Sequence, residues 1–420
     1  MKKRFLFFSA IIIIMICLSQ FATDYNSVQF NNIDDENIKT TNSTNENSFR
    51  AAPRFHSSSL KENHTESSFI LYRFRGKILK DSKWGAIANF QRALSEQLRR
   101  CGKEGLKVDG IFGEITQQKL MEILSCPGFE DFTNHPLLGT VHSELWKKII
   151  LDSPIPNVHE RAFALLLSHE GTDYDRVEWN YGTDDDRSAL TWGPYGATVG
   201  WGNEVRGILK MIHDHNPELL RNIFSTDFRI IEKLIDSQPE EGYQILKVVF
   251  ENNETRQSWK KKLQNLGKTE ECRKFYDLYA FQTNKWLRPN FRKLYKLIPD
   301  AASNSTEIDY AFFLDIGAHT SVSSDRIEGT ISAIKSEEDK LGRSLQNFEC
   351  RRVIGQFFAQ QVNQRWKHDR MGRNVVFYVD GYGDTLSTEE LNAWTTRTGR
   401  KASSYGLSDE RIYYPKFLEE

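Results

Sequence analysis

Residues 168–202, SHEGTDYDRVEWNYGTDDDRSALTWGPYGATVGWG, gather the residue types of a catalytic site in one stretch. Glu170 ends an apolar helical run and is followed at once by Gly171, where a helix would stop in a left-handed cap. A carboxyl group at the rim of an apolar run loses water without gaining an obvious cation, so we expect its pKa to rise. Such a group suits general acid catalysis.

The acids and hydroxyls that follow fit the other half of glycosidic hydrolysis. An inverting enzyme needs a second carboxylate, about 6.5–9.5 Å from the first, to activate a water molecule. Asp185 and Asp186 are the candidate bases, and Asp184 is a candidate substrate contact, although the sequence leaves open which of the three is the base. Thr191 and Thr198 carry hydroxyls that can orient the water. The glycine-rich end predicts a tight hairpin, and we expect three rings to line a sugar-binding groove: Trp192, Tyr195 and Trp201.

This order of residues resembles the lysozyme superfamily in two ways, and both stay open. In phage-type lysozymes a Glu-Gly helix end precedes a hairpin bearing T-[IV]-G-x-G, which implies that Glu170 is the general acid and Thr198 positions the water. Thr198 follows Glu170 by 28 positions, which implies an insertion, and Trp192 stands where that family has its aspartate. In chitosanase-type enzymes the order is Glu, Asp-x-Arg and Thr-x-Gly, which implies roles for Asp185 and Thr191.

Residues 84–126 carry a second resemblance, to the small peptidoglycan-binding domain of bacterial and phage wall enzymes. Its core motif is D-G-x-F-G-x-x-T, here Asp109, Gly110, Phe112, Gly113 and Thr116. Asp109-Gly110 predicts a turn, Gly113 a permissive backbone, and Thr116 the head of the following helix. These residues mostly build a fold, so wall binding is what the resemblance implies.

The periodicity of the remaining chain is mainly helical. It predicts helices near 157–170, 204–215, 227–250, 270–297, 307–318 and 345–365, and strands near 195–202 and 374–383. We expect a mainly α (α+β) chain, in which a small three-helix peptidoglycan-binding-like domain precedes a two-lobed lysozyme-like domain with a small β element. The basic helix around residues 351–370 is interpreted as a solvated surface.

The N-terminus has the layout of an export signal. Lys2, Lys3 and Arg4 precede an apolar run that ends at Leu18 and is short for a bilayer span. We therefore expect a signal peptide at 1–22, with an uncleaved anchor as the alternative, and a disordered linker at 23–68. The peptidoglycan-binding-like domain then covers 69–135, and the catalytic domain with its C-terminal extension covers 136–420. The expected location is outside the cell or in the periplasm or envelope.

Charge and cysteines restrict the partners. The chain has 56 basic and 57 acidic residues, so nothing favours nucleic acid. Without a C-x-x-C pair, and with His213-Asp214-His215 interpreted as helix surface, we expect neither a metal nor another cofactor. Two disulfides are permitted, and Cys101–Cys126 with Cys272–Cys350 is the most local of three pairings; reduced thiols are the alternative.

The expected partner is peptidoglycan or a related amino-sugar polymer, bound by a monomer. Chitosan is the alternative substrate, since four acids could hold amino groups: Asp173, Asp175, Glu178 and Asp184. A lytic transglycosylase, which needs a single glutamate, and a non-catalytic wall-binding protein also stay open.

Overall fold

Short strands and many helices make up this computed structural model, which describes residues 68–151, 153–171, 173–179, 190–199, 202–238 and 241–419. The strands are β1 (Ile70–Tyr72), β2 (Leu79–Lys80), β3 (Ile111–Phe112), β4 (Val141–His142), β5 (Val177–Trp179), β6 (Leu190–Trp192) and β7 (Ala197–Val199). They pair as β1 with β4, β2 with β3, and β5-β6-β7, all antiparallel. The predicted signal peptide and almost all of the predicted linker lie outside the described residues.

Helices account for most of the described chain, so the mainly helical prediction is confirmed. The first nine are α1 (Ala86–Arg100), α2 (Glu114–Ile123), α3 (Ser143–Ile149), α4 (Val158–Glu170), α5 (Glu204–His215), α6 (Pro217–Phe224), α7 (Phe228–Asp236), α8 (Gly242–Phe250) and α9 (Asn253–Gly267). The others are α10 (Glu270–Gln282), α11 (Leu287–Leu294), α12 (Ala301–Asn304), α13 (Glu307–His319), α14 (Ser324–Leu341), α15 (Asn347–Gln360), α16 (Gln364–Val375), α17 (Val379–Tyr382) and α18 (Thr388–Arg397). None of the helices in this part of the chain is long and apolar enough to cross a bilayer.

The side chain of Gln91 organises the turn between α1 and α2. Its amide donates to Asp109 Oδ1 at 3.1 Å and to Thr116 Oγ1 at 3.2 Å, and its Oε1 accepts from the Gly110 backbone N–H at 2.9 Å. Gly110 has a φ of 73°, and a Cβ there would lie 2.9 Å from the Ser82 carbonyl oxygen. The predicted turn at Asp109-Gly110 is therefore confirmed, and the motif residues serve the fold.

Two details of this motif differ from the prediction, and Gln91, which supports the motif, is 1% exposed. Thr116 lies inside α2 and not at its head: the N-cap is Gly113, and the Thr116 hydroxyl donates to the Ile111 carbonyl oxygen at 3.1 Å. Gly113 has a φ of −123°, which any residue adopts, so its backbone has no need of glycine.

Of the two permitted disulfides, one is formed. Cys101, at the end of α1, is bonded to Cys126, and 25 positions separate them in sequence. Cys272 is free and buried, and Cys350 is free and half-buried, so the Cys272–Cys350 pairing is wrong.

Helix α4 runs through the core. It begins with a capping box, in which Asn157 accepts from the Glu160 N–H at 3.0 Å and Glu160 accepts from the Asn157 N–H at 2.8 Å. Every residue from 161 to 169 is buried, so the single apolar stripe in the sequence understates how central this helix is. The helix packs on α13, where Arg161 pairs with Glu307 at 2.8 Å.

Three predicted helices are divided in the structure. The stretch 227–250 contains α7 and α8, and 270–297 contains α10 and α11. The stretch 345–365 contains α15 and the first two residues of α16. The helices predicted at 204–215 and 307–318 coincide with α5 and α13. The strand predicted at 374–383 is wrong: this stretch forms the end of α16, a turn and α17, and its residues 374–379 are buried among helices.

The basic helix segment is solvated only in part: Lys367 is half-buried and His368 is exposed, whereas two of its arginines are buried. Arg351 is 1% exposed and lies between Asp309, at 2.7 Å, and Asp409, at 2.5 Å. Arg370 and Arg373 of α16 both pair with the buried Asp315 of α13. These ion pairs hold the C-terminal helices against the centre of the molecule.

Residues 68–420 group as one compact unit. Arg73 donates its N–H to the Ser404 carbonyl oxygen at 2.9 Å, and Lys80 donates its N–H to the Tyr405 hydroxyl at 3.2 Å. The segment that contains the peptidoglycan-binding-like motif therefore contacts the C-terminal part of the chain directly. The domain boundary at residues 135 and 136 stays a prediction.

Candidate active site

The backbone of Glu170 lies where the sequence predicts. It is the last residue of α4, and Gly171 follows with a φ of 66° and donates its N–H to the Leu167 carbonyl oxygen at 2.7 Å. Gly171 is exposed, so the buried helix reaches the surface at this end. The carboxyl group of Glu170 lies outside the described atoms, as do Asp184, Asp185, Asp186 and Trp201.

A cation lies near the C-terminal end of α4, where none was expected from the sequence. Arg397 of α18 donates to the His169 carbonyl oxygen at 3.0 Å, and its guanidinium also pairs with Asp369. A positive charge near the helix terminus favours ionised carboxylates, while the pairing with Asp369 offsets part of that effect.

His169 points into the core. Its Nδ1 lies 3.3 Å from Asp315 Oδ1, and burial lowers the pKa of His169 to about 4, so that the ring is neutral at pH 7. Asp315 is ionised, because Arg370 and Arg373 hold its pKa well below the usual value despite burial. His169 is thus a packed residue, and its contact with Asp315 anchors α4 on α13.

The sheet β5-β6-β7 has one buried face and one half-exposed face. Leu190, Trp192, Ala197 and Val199 alternate along β6 and β7 on the buried face. Glu178, Thr191 and Thr198 pair across the three strands in one row, and all three are half-buried. The sheet thus presents one carboxylate and two hydroxyls in a line on its open face.

The β6–β7 hairpin confirms the predicted tight turn but not the predicted rings. Its loop is residues 193–196, and Gly193 and Gly196 have φ angles of 75° and 70°. Trp192 is 0% exposed and donates its Nε1–H to the Tyr174 carbonyl oxygen at 2.8 Å, and Tyr195 is 2% exposed. The prediction that these two rings line a sugar groove is wrong, because neither offers a free face.

At the end of the row, Thr198 is bound to a glutamate that sequence reasoning missed. The Thr198 hydroxyl donates to Glu204 Oε2 at 2.9 Å, and the Thr198 backbone N–H donates to the same oxygen at 3.1 Å. The Thr198 hydroxyl in turn accepts the Gly202 N–H at 2.9 Å. Glu204 opens α5, and the only signal in the sequence was an acid in the first turn of a helix.

Burial of Glu204 raises its pKa, and the two hydrogen bonds from Thr198 oppose that rise. The side chain lies against Gly202, where a Cβ would come within 2.0 Å of Glu204 Oε2. A half-buried carboxyl group fixed beside a hydroxyl is an arrangement suited to acid–base or positioning roles.

The acids that could hold a cationic substrate already have partners. Asp173 accepts from the Ser82 hydroxyl at 2.9 Å and from the Lys83 N–H at 3.0 Å, and Asp175 pairs with the Lys83 ammonium at 2.9 Å. Glu178 is paired in the same way, with Arg176. These contacts fasten the chain after Gly171 onto the loop before α1.

One cluster of possible metal ligands occurs among the described residues: His135, His142 and Glu144, whose ligand atoms lie within 4.8 Å of one another. Nδ1 of His135 accepts the Leu137 N–H at 3.1 Å, so the neutral ring carries its proton on Nε2, 3.2 Å from Glu144 Oε2. Nδ1 of His142 contacts the Ser68 hydroxyl at 2.9 Å. Nε2 of His135 thus carries a hydrogen and offers no lone pair to a metal ion. We interpret the contact between His135 and Glu144 as a hydrogen bond.

A groove of about 470 Å³ lies between α14, α15 and α17 and contains none of the predicted site residues. Its charged side chains are paired: Arg352 with Glu390 at 2.6 Å, and Glu349 with Arg343 at 2.7 Å. The end of α4 and the open face of the sheet therefore remain the candidate active site.

No family model, curated protein or solved structure matches the chain. The candidate function rests on the chemistry of these residues.

Proposed function

We propose that the chain is an exported enzyme that hydrolyses β-1,4 glycosidic bonds of peptidoglycan by general acid and base catalysis, with inversion. The observation that carries the proposal is the termination of the buried helix α4 at Glu170, with Gly171 in the left-handed conformation. A three-stranded sheet follows in the chain, with Thr191 and Thr198 on its half-exposed face. This is the order of acid and hydroxyls that a lysozyme-like site uses.

In this proposal each residue has one task. Glu170 gives its proton to the glycosidic oxygen as the bond to the anomeric carbon breaks. A water held by Thr198 attacks that carbon, and a carboxylate of the Asp184-Asp185-Asp186 run takes the proton that the water loses. The run belongs to the connection between β5 and β6, so it joins the strand of Glu178 to that of Thr191.

The proposal extends to the arrangement of the chain. Residues 136–420 would form the two-lobed lysozyme-like part, and residues 69–135 would supply affinity for the wall. The hydrogen bonds of Gln91 support a fold of this kind for residues 69–135. They do not bear on wall binding, because Asp109, Gly110 and Thr116 all use their polar groups to bind Gln91.

Peptidoglycan is preferred over chitosan because of charge. Binding of a polyamine needs carboxylates that are free to meet ammonium groups. Asp173 and Asp175 are engaged with Ser82 and Lys83, and Glu178 is engaged with Arg176. Among the described acids proposed for amino-group binding, each therefore has a partner already.

The test is incubation of the purified chain with peptidoglycan and, separately, with chitosan, and mass spectrometry of the soluble products. Glu170→Gln should abolish product formation, because the amide cannot donate a proton to the leaving oxygen. Glu218→Gln is the matched control, since Glu218 is an exposed glutamate in the first turn of α6; it should leave the rate unchanged.

The products identify the reaction. Reducing-end muropeptides that disappear in Glu170→Gln support hydrolysis, whereas anhydro ends would make the enzyme a lytic transglycosylase. Chitosan fragments would transfer the assignment to the alternative substrate. Retention on sedimented walls with no product from either polymer would mean a binding protein.

A further inference from the structure

We propose that Glu204 is a positioning residue of the candidate site, which fixes the hydroxyl of Thr198 so that this group can only accept a hydrogen bond from the attacking water. The inference rests on the proposed function and adds a residue to it. Glu204 is not placed against substrate; it acts through Thr198.

The hydrogen bonds of the Thr198 hydroxyl leave it one free direction. A threonine hydroxyl has one donor and two acceptor positions. Its proton is given to Glu204 Oε2 at 2.9 Å, and one acceptor position takes the Gly202 N–H at 2.9 Å. The second acceptor position has no partner among the described residues, and Thr198 is half-exposed on the open face of the sheet.

The position of Glu204 is itself fixed from several sides. Its Oε2 also receives the Thr198 N–H at 3.1 Å, so both polar hydrogens of one residue meet one oxygen. The carboxylate lies so close to Gly202 that any side chain there would overlap it, with a Cβ only 2.0 Å from Oε2. Glycine at position 202 therefore leaves room for the carboxylate that the two hydrogen bonds from Thr198 hold.

This arrangement has a direct consequence for the water. A water that donates one hydrogen to Thr198 Oγ1 keeps its lone pairs free to attack the anomeric carbon. As the new C–O bond forms, the aspartate base takes one proton, the glycosidic C–O bond breaks, and the leaving oxygen receives the proton of Glu170. A hydroxyl free to rotate could instead donate to the water and occupy one of those lone pairs, so removal of Glu204 lowers the rate without removing an acid or base.

Four variants test this role: Thr198→Val, Glu204→Ala, the double variant and Glu204→Gln. We expect Thr198→Val and Glu204→Ala each to reduce kcat on peptidoglycan about 100-fold, with little change in KM, as for loss of water alignment. The double variant should be reduced by about the same factor as either single variant, since both remove one device. Glu204→Gln keeps an oxygen acceptor at the same place and should retain activity within about 10-fold.

Controls separate this role from folding and from the proposed function itself. Glu218→Ala removes an exposed acid from the first turn of the neighbouring helix and should change neither kcat nor the melting temperature. Effects that multiply in the double variant, or wild-type rates in Glu204→Ala, would overturn the inference while Glu170→Gln remains inactive. If Glu204→Gln is as inactive as Glu204→Ala, Glu204 transfers a proton and the positioning role is wrong. A wild-type chain that cleaves neither polymer overturns both the function and this inference.

Discussion

Asp277 is a half-buried acid, and no ion pair among the described residues joins it to a basic side chain. Its two carboxylate oxygens accept the Tyr174 hydroxyl at 2.9 and 2.8 Å, below the hairpin of the candidate site. Burial raises the pKa of Asp277 from 3.8 to about 7, although the bond from Tyr174 opposes the rise. This carboxyl group therefore remains protonated in the folded chain at pH values where the unfolded chain has lost the proton.

The raised pKa of Asp277 makes a prediction about stability. Between pH 3.8 and about 7 the folded state binds more protons at this group than the unfolded state, so its contribution to the free energy of unfolding falls as pH rises. Asp277→Asn removes that dependence. Relative to wild type, the variant should gain up to about 4 kcal/mol in stability between pH 4 and pH 8 in urea unfolding.

A control is available at the surface. Asp339 is exposed on α14, and Asp339→Asn should show the same pH dependence as wild type. Equal pH slopes for Asp277→Asn and wild type would mean that Asp277 ionises normally in the folded chain.

Single buried polar residues were the hardest to predict. Gln91 and Arg351 are almost completely buried, yet a helical pattern assigns every polar residue to the solvent side. What keeps Arg351 inside is distant in sequence: it pairs with Asp309 and Asp409. Glu204 was missed for a different reason. Acidic residues are favoured in the first turn of any helix, so its presence there gives no sign of a functional role.

At the scale of elements, helices with strong ends were predicted closely. Helix α4 has a capping box at Asn157 and a glycine at its C-terminus, and α13 has a capping box at Thr306. Such hydrogen bonds form between residues that are close in sequence, so they can be predicted from one sequence. Helix breaks such as the one at Asn363, which caps α16, were missed because the apolar period continues across them.

The false strand at 374–383 shows the limit of periodicity. An apolar run of this length is compatible with a buried strand or a buried helix, and only its neighbours decide. Asn374 donates to the Gly355 carbonyl oxygen at 2.7 Å, and Val376 accepts the Ala402 N–H at 3.1 Å. These partners, from α15 and from the chain beyond α18, keep the segment among helices and turns.

The disulfide that ties α1 to the end of α2 leads to a prediction at this scale. Cys101–Cys126 closes a loop of 25 residues, which corresponds to about 3 kcal/mol of restricted unfolded-state entropy. We expect the variant with both cysteines changed to serine to lose about that much stability in urea unfolding. Cys350→Ser, at a free thiol, is the matched control and should change it by less than about 1 kcal/mol. Unchanged unfolding midpoints on reduction of the wild type would contradict the stabilising role.

At the scale of the whole molecule, the beginning and the end of the described chain pack together. Arg400 donates to the Ile78 carbonyl oxygen at 2.8 Å, and Arg411 pairs with Glu307 of α13 at 2.5 Å. Composition and periodicity do not reveal such contacts, because more than three hundred positions separate residues 78 and 400. The sequence therefore indicated the fold class and one helix end of the candidate site, while the packing of distant segments required the structure.

Gly406 lies at the centre of this junction and gives the last prediction. Its φ is 67°, and a Cβ would lie 2.2 Å from the Ile70 carbonyl oxygen and 2.8 Å from Leu71 Cα, both in β1. Gly342, which caps α14, has a φ of 64°, but a Cβ there would meet no atom within 4 Å. The two glycines share a left-handed backbone and differ in their surroundings.

Gly342→Ala should therefore cost about 1 kcal/mol, the cost of a left-handed alanine. Gly406→Ala carries the same strain and also forces β1 away from the C-terminal segment, so we expect a loss of about 3 kcal/mol or more. Since residues 68–420 form one compact unit, both variants should unfold in a single transition, with only its midpoint shifted. Equal losses of unfolding free energy in the two variants would show that β1 can move away from residue 406 at little cost. A second, earlier transition in Gly406→Ala would show that the segment around β1 unfolds on its own.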